Sequence, residues 1–200
     1  MSLFDTLLGQ LGGQNLGRVS QAIGGDERAT KNAIGAALPV LLGALSKNAQ
    51  SPQGAEALNK ALERDHSPSL LQNLGGANLA QLFGAGGGKS EDGAGILKHL
   101  LGGKQQNVEA SLAKSTGLDA GSIAKLLPIL APVVMSALSK QKQEKGLGAA
   151  QLGSMLQNER ANLEQRAPQT KSMLGKLFDQ DGDGDFDLGD VTKGLLGKLF

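Results

Sequence analysis

Apolar residues recur along this chain at helical spacing. Leu3, Phe4, Leu7, Leu8 and Leu11 fall on one face of a short amphipathic helix, and Ile96, Leu97, Leu100 and Leu101 repeat the pattern later. A second helix is predicted over residues 15–23 and again over 107–115. Gly24 and Gly117 suit helix stops, and Asp26 and Asp119 suit the N-caps of the next helix. In each case that next helix is long and apolar, reaching about Lys47 and Lys140. Pro39, Pro128 and Pro132 lie inside these helices and each removes a backbone donor, so kinks or a break are expected there. Ser51-Pro52 has the form of an N-cap followed by Pro at the first helical position, and Ser67-Pro68 repeats it. The helices they start carry Leu58 and Leu62, then Leu70, Leu71 and Leu74.

The same signals come twice in the same order. Displaced by 93 residues without a gap, Leu7-Leu8-Gly9 falls on Leu100-Leu101-Gly102, and Gly24 and Asp26 on Gly117 and Asp119. Pro39-Val40 falls on Pro132-Val133, and Ala44-Leu45-Ser46-Lys47 on Ala137-Leu138-Ser139-Lys140. With one extra residue, Leu58 and Leu62 meet Leu152 and Leu156. This reads as a tandem duplication. Two copies fall short of the roughly three that a solenoid needs, so two similar units about a pseudo-twofold axis are expected. The expected fold is all-α: unit one over residues 1–83, a Gly-rich linker over 84–93, unit two over 94–166, and a separate C-terminal element over 167–200.

Composition agrees with helices. Leu occurs 35 times, against 11 for Val and Ile together, whereas strands favour β-branched and aromatic residues. The chain has no Cys, which excludes disulfides, thiolate metal sites and a Cys nucleophile. A net charge of +1 provides no global field for nucleic acid. Around Lys140, Lys142 and Lys145 the charge is diluted by Gln and Glu, with no aromatic for base stacking. No nucleic-acid partner is expected. The longest apolar runs, residues 33–45 and 126–138, span roughly 20 Å as helices, short of a bilayer core of about 30 Å. They read as core helices, with membrane insertion as the less favoured reading. The N-terminus has neither the basic nor the long apolar region of a secretory signal, so a cytoplasmic location is expected. Residues 84–90 end in Gly-Lys-Ser, but Phe83 stands where a phosphate loop needs Gly, so they read as linker.

One segment carries chemistry. From 179 to 190 the chain reads Asp-Gln-Asp-Gly-Asp-Gly-Asp-Phe-Asp-Leu-Gly-Asp. Asp179, Asp181 and Asp183 fill positions 1, 3 and 5 of an EF-hand loop, and Gly184 fills position 6, where the chain must turn sharply. Asp185 offers a backbone carbonyl at position 7. Asp187 acts through a water at position 9, and Asp190 closes the loop. Six carboxylates in twelve residues repel one another unless a cation neutralises them. Calcium, a hard cation taking six to eight oxygens, fits this set. Position 12 is Asp where Glu is usual, one methylene shorter, so magnesium is a second candidate. Met173, Leu174, Leu177 and Phe178 before the loop, and Leu188, Val191, Leu195, Leu196 and Leu199 after it, provide apolar stripes for flanking helices.

The loop resembles the bacterial dockerin type of EF-hand, which also ends in Asp, although a dockerin carries two loops. The repeated segments resemble the bacterial family of unknown function 937, whose relatives are called YidB-like. That resemblance rests on the Gly-x-Asp opening, on Leu38-Pro39-Val40-Leu41-Leu42 and on Ala44-Leu45-Ser46-Lys47, and covers roughly residues 1–160. It implies a bacterial, multihelical protein and supplies no activity. His66 and His99 lie in no catalytic motif. The resulting expectation is a calcium-binding helical protein without catalysis. It would act as an interaction or self-assembly module toward a protein partner or its own copies, with the EF-hand as stabiliser or switch. Membrane insertion of the two Pro-containing helices is one alternative, and a metal-dependent enzyme the other.

Overall fold

The computed structural model describes residues 2–64 and 91–166. Those residues are helical and contain no strand. The helices are α1 (Leu3–Leu11), α2 (Gln14–Ile23), α3 (Glu27–Asn48), α4 (Pro52–Arg64), α5 (Glu91–Leu101), α6 (Gln105–Thr116), α7 (Ala120–Lys145) and α8 (Ala149–Arg166), with a 3-10 turn at Gly102–Lys104 between α5 and α6. The described residues up to Arg160 belong to one compact unit, which ends within α8.

Local chemistry sets the helix ends. Ser2, Asp26 and Asp119 cap α1, α3 and α7, their side chains accepting from the N–H groups of Asp5, Ala29 and Ser122. Ser51 does the same for α4, accepting from the Gly54 N–H at 3.0 Å. Each cap satisfies a donor that the first helical turn leaves without a partner. Gly24 ends α2 in the left-handed region at φ 73°. Its N–H reaches the Gln21 carbonyl, and the Gly25 N–H reaches the Ser20 carbonyl. Gly117 ends α6 at φ 84°. A side chain at either position would meet the left-handed steric penalty that Gly avoids.

The long helices α3 and α7 form the centre. From Ala37 to Ser46 every residue of α3 is buried, as is every residue of α7 from Val133 to Ser139. A helix apolar on all sides must be covered on all sides. The coverage crosses between halves of the chain. α3 packs against α2 and α1 but also against α5, α6 and α7; α7 packs against α5 and α6 but also against α1, α2 and α4. Both halves therefore share one core. The Ser122 hydroxyl donates to the Ile23 carbonyl at 3.2 Å, and the Ser139 hydroxyl to the Leu62 carbonyl at 3.2 Å.

Of the kink or break expected at the prolines, the break does not occur: α3 runs on through Pro39, and α7 through Pro128 and Pro132. A proline leaves the carbonyl four residues earlier without its helical donor. For Pro39 and Pro128 those carbonyls belong to Gly35 and Ala124, both at half-exposed positions. For Pro132 the carbonyl is that of Pro128, and buried Gly93 of α5 comes so close to it that a β-carbon there would collide. Burial along the rest of each helix outweighs the missing bonds.

Two other boundaries differ from expectation. α5 begins at Glu91, inside the stretch read as linker. The opening helices also depart from the ungapped match. Leu3, Leu7 and Leu11 are buried in α1, with Phe4 and Leu8 half-buried. In α5, Leu97 and Leu101 are buried and Ile96 and Leu100 half-buried, so burial sets this helix one residue out of the 93-residue spacing. The offset is absorbed where Gly12-Gly13 joins α1 to α2 and the 3-10 turn joins α5 to α6. By Val19 and Leu112, both buried, the spacing is restored.

Candidate functional site

The candidate metal ligands Asp179, Asp181, Asp183, Asp185, Asp187 and Asp190 lie outside the described residues, as do His66 and the Ser67-Pro68 signal. Among the described residues no group of three or more His, Asp or Glu side chains is placed to hold a metal ion. His99 is exposed on α5.

Two of the described carboxylates, Glu63 and Asp119, hold scaffold elements together. Glu63 of α4 pairs with Lys142 of α7. The Lys142 hydrogen bond and charge hold the Glu63 carboxyl below the usual carboxylate range. Asp119 is lowered as well, chiefly by the Ser122 hydroxyl, which donates at 2.7 Å, and then by the Ser122 backbone N–H at 2.9 Å. Both shifts stabilise the ionised carboxylate at places where helices begin or cross.

Sequence reasoning passed over Glu159. This residue of α8 is only 9% exposed, and its Oε1 accepts the Leu3 N–H at 3.1 Å. The carboxylate thus sits at the N-terminus of α1, where unpaired N–H groups and the helix dipole favour an anion. Its Oε2 is buried and has no hydrogen-bond partner among the described residues. The signal was present: Leu152, Leu156 and Leu163 are buried, and Glu159 falls on the same stripe at helical spacing. A charge on an apolar stripe points to a specific partner, here a backbone N–H more than 150 residues away.

Buried hydroxyls differ between the halves. Ser139 has the Leu62 carbonyl, whereas Ser46, 93 residues earlier in α3, is fully buried and has no partner among the described residues; Thr30 and Ser136 are in the same condition. Among the described residues two helices, Glu27–Asn48 and Ala120–Lys145, are long and apolar enough to cross a membrane, and 72% of the apolar window of each is buried in this fold.

Comparison with curated proteins and with solved structures returned no match. A family model does match, over residues 5–141, from α1 to near the end of α7, and it stops before the acidic loop. Its description is a bacterial protein of unknown function, DUF937. With more than half of its length matched, the chain belongs to this bacterial family, DUF937.

Proposed function

We propose that this chain is a calcium-binding helical protein that acts through protein contacts. One observation carries the reading: carboxylates at 179, 181, 183, 187 and 190 with Gly at 184 reproduce the spacing of an EF-hand loop. The ion would draw its oxygens from Asp179, Asp181 and Asp183, the Asp185 carbonyl, a water held by Asp187, and Asp190. Magnesium is the competing ion, because Asp190 reaches less far than Glu.

The body would supply the contact surface. We read it as a duplicated unit, supported by matched capping at Asp26 and Asp119 and matched left-handed stops at Gly24 and Gly117. The EF-hand is proposed as stabiliser or switch for this module, with no catalytic step assigned. A membrane-inserting reading has one observation in its favour, the length and apolarity of α3 and α7. The burial of both helices in a shared core favours protein contacts instead.

Titrating calcium into the metal-free chain by calorimetry, with and without a magnesium background, tests the proposal. One saturable site of micromolar Kd or tighter, lost in Asp179→Ala, is expected. No heat up to millimolar calcium in magnesium-free buffer would remove the calcium reading and leave the helical body as the only lead.

A further inference from the structure

α8 is attached to the body differently from the other described helices. α1, α2, α4, α5 and α6 each lie closely along α3 or α7, and among the described helices α8 has no such neighbour. It begins after residue 141, where the sequence shared with the family ends. Its side chains are nevertheless sunk into the body. Leu152 and Leu156 are fully buried, and Glu159 is nearly so. A β-carbon at Gly153 would lie 3.0 Å from the Ala49 carbonyl oxygen, so this position must stay small. Glu159 accepts the Leu3 N–H at the N-terminus of α1. The groove under α8 thus makes three demands: leucines four residues apart, a small residue just after the first, and a carboxylate seven places after it. α8 meets them incompletely, because the buried Glu159 Oε2 has no hydrogen-bond partner among the described residues. An unpaired buried oxygen weakens the hold of the helix that carries it. α4 is held more completely, with its Leu62 carbonyl on Ser139 and its Glu63 on Lys142.

We propose that α8 is a displaceable cover, and that the groove beneath it receives an amphipathic helix of a partner protein with the same pattern. That helix carries leucines at i and i+4, a small residue at i+1 and a carboxylate at i+7. This rests on reading the body as a protein-contact module, and it names the surface. A groove that holds one helix by its side chains selects others by the spacing of their anchors. The carboxylate adds charge complementarity, since the N-terminus of α1 presents the Leu3 N–H and the positive end of the helix dipole at that point. α8 is tied to α7 through residues 146–148 and competes from an effective concentration of about a millimolar. The groove is therefore closed by default, and the apparent affinity of any partner is reduced by the fraction of chains in which it is open.

Amide hydrogen exchange on the full-length, calcium-free chain reads the cover. Residues 149–160 are expected to exchange together, with protection at least ~100-fold below that of α3 and α7. Equal protection of α8 and the central helices would overturn the proposal. Leu156→Asp, made in the full chain, puts a charge in the groove and releases α8. A labelled peptide of residues 149–166 then stands in for the partner helix. It is expected to bind Leu156→Asp at least ~tenfold more tightly than the wild-type chain, whose groove is covered. The same peptide with Glu159→Gln should bind more weakly, and with Gly153→Leu it should not bind. A folded Leu156→Asp chain that ignores the peptide, or that binds all three peptides equally, would overturn the proposal. Unfolding of Leu156→Asp would do the same, because α8 would then be part of the core and not a cover. A wild-type dimer that disappears in Leu156→Asp would put the α8 of a second copy in the groove and overturn the assignment to another protein. Failure of the calcium reading appears in the calorimetry instead and leaves these results untouched.

Discussion

Gly25 and Leu118 occupy corresponding positions in the two halves, and they touch. A β-carbon added at Gly25 would lie 2.8 Å from the Leu118 Cδ2 and 3.1 Å from the Thr30 hydroxyl oxygen. The residues flank matched features, since Gly24 and Gly117 precede them as helix stops and Asp26 and Asp119 come after them as N-caps. Under the proposed duplication, such a contact is what a pseudo-twofold axis passing between the two residues would give. The small residue on one side makes room for the large one on the other.

That contact yields a prediction about two glycines. At Gly25 the nearest obstacle is the end of a flexible side chain, so Gly25→Ala should cost about 1 kcal/mol as Leu118 shifts. In a Leu118→Ala background the cost should vanish, leaving the small gain from a stiffer unfolded chain. At Gly93 the obstacle is the Pro128 backbone carbonyl, which cannot rotate away. Gly93→Ala should therefore cost about 3 kcal/mol, although Ala is the better helix former. Denaturant titrations of the four variants check this. Equal losses at the two glycines, or additivity of Gly25→Ala with Leu118→Ala, would show that these contacts do not set the energetics.

The matched serines should behave in opposite ways. Ser139 has a carbonyl partner in α4, so Ser139→Ala should lower stability by about 1 kcal/mol. Ser46 is buried with no partner for its hydroxyl among the described residues, so Ser46→Ala removes a polar group that gains no hydrogen bond there on folding. It should raise stability by about 1 kcal/mol. Thermal unfolding of both variants decides the matter, and a loss of similar size in each would mean that Ser46 is satisfied in solution.

Much of this architecture was legible in the sequence because it rests on short-range chemistry. Asp26, Asp119 and Ser51 cap helices through donors three residues away, and Gly24 and Gly117 stop helices through their own backbone freedom. The departures arise where distant residues decide. The proline rule weighs one lost donor, whereas α3 and α7 are held by burial on every side. The start of α5 was hidden because Gly93 and Gly95 weaken the helical pattern, yet Gly93 is what lets α5 approach the Pro128 carbonyl. Glu159 stands on the apolar stripe of α8, but local sequence does not reveal its partner, the Leu3 N–H more than 150 residues away. The candidate calcium site is legible only as a spacing of carboxylates, because its residues lie outside those described.

Acid should loosen the body through two carboxyls. Glu63 and Asp119 are both held below the ordinary carboxylate range in the folded chain. A group lowered on folding stabilises the native state fully at pH values above its unfolded pKa. That contribution fades as the pH falls through the ordinary carboxylate range and is gone below the lowered folded value. Stability should therefore be flat near neutrality and decline from about pH 5 downward. Glu63→Gln and Asp119→Asn should each shallow the decline, with Lys142→Gln reproducing the first. An unchanged acid limb in all three would assign the loss to other carboxylates.

The closing residue of the acidic loop sets the last prediction. Asp190 stands where an EF-hand usually presents a bidentate Glu, and its carboxylate reaches one methylene less far. Calcium, bound at about 2.3–2.6 Å by six to eight oxygens, gains from a second oxygen at that position. Magnesium, which prefers six ligands at about 2.0–2.1 Å, does not. Asp190→Glu should therefore tighten calcium binding by about tenfold, or ~1.4 kcal/mol, while leaving magnesium unchanged or weaker. Asp179→Ala should abolish both. Saturating calcium should also raise the melting temperature of the elements that fold with the loop, since an ion at 100 times its Kd adds about 2.7 kcal/mol to whatever it binds only when folded. Asp190→Glu should give the larger rise at a fixed, limiting calcium concentration. If Asp190→Glu leaves calcium affinity where it was while Asp179→Ala removes it, the loop binds its ion without a ligand at position 12, and its likeness to an EF-hand ends at position 9.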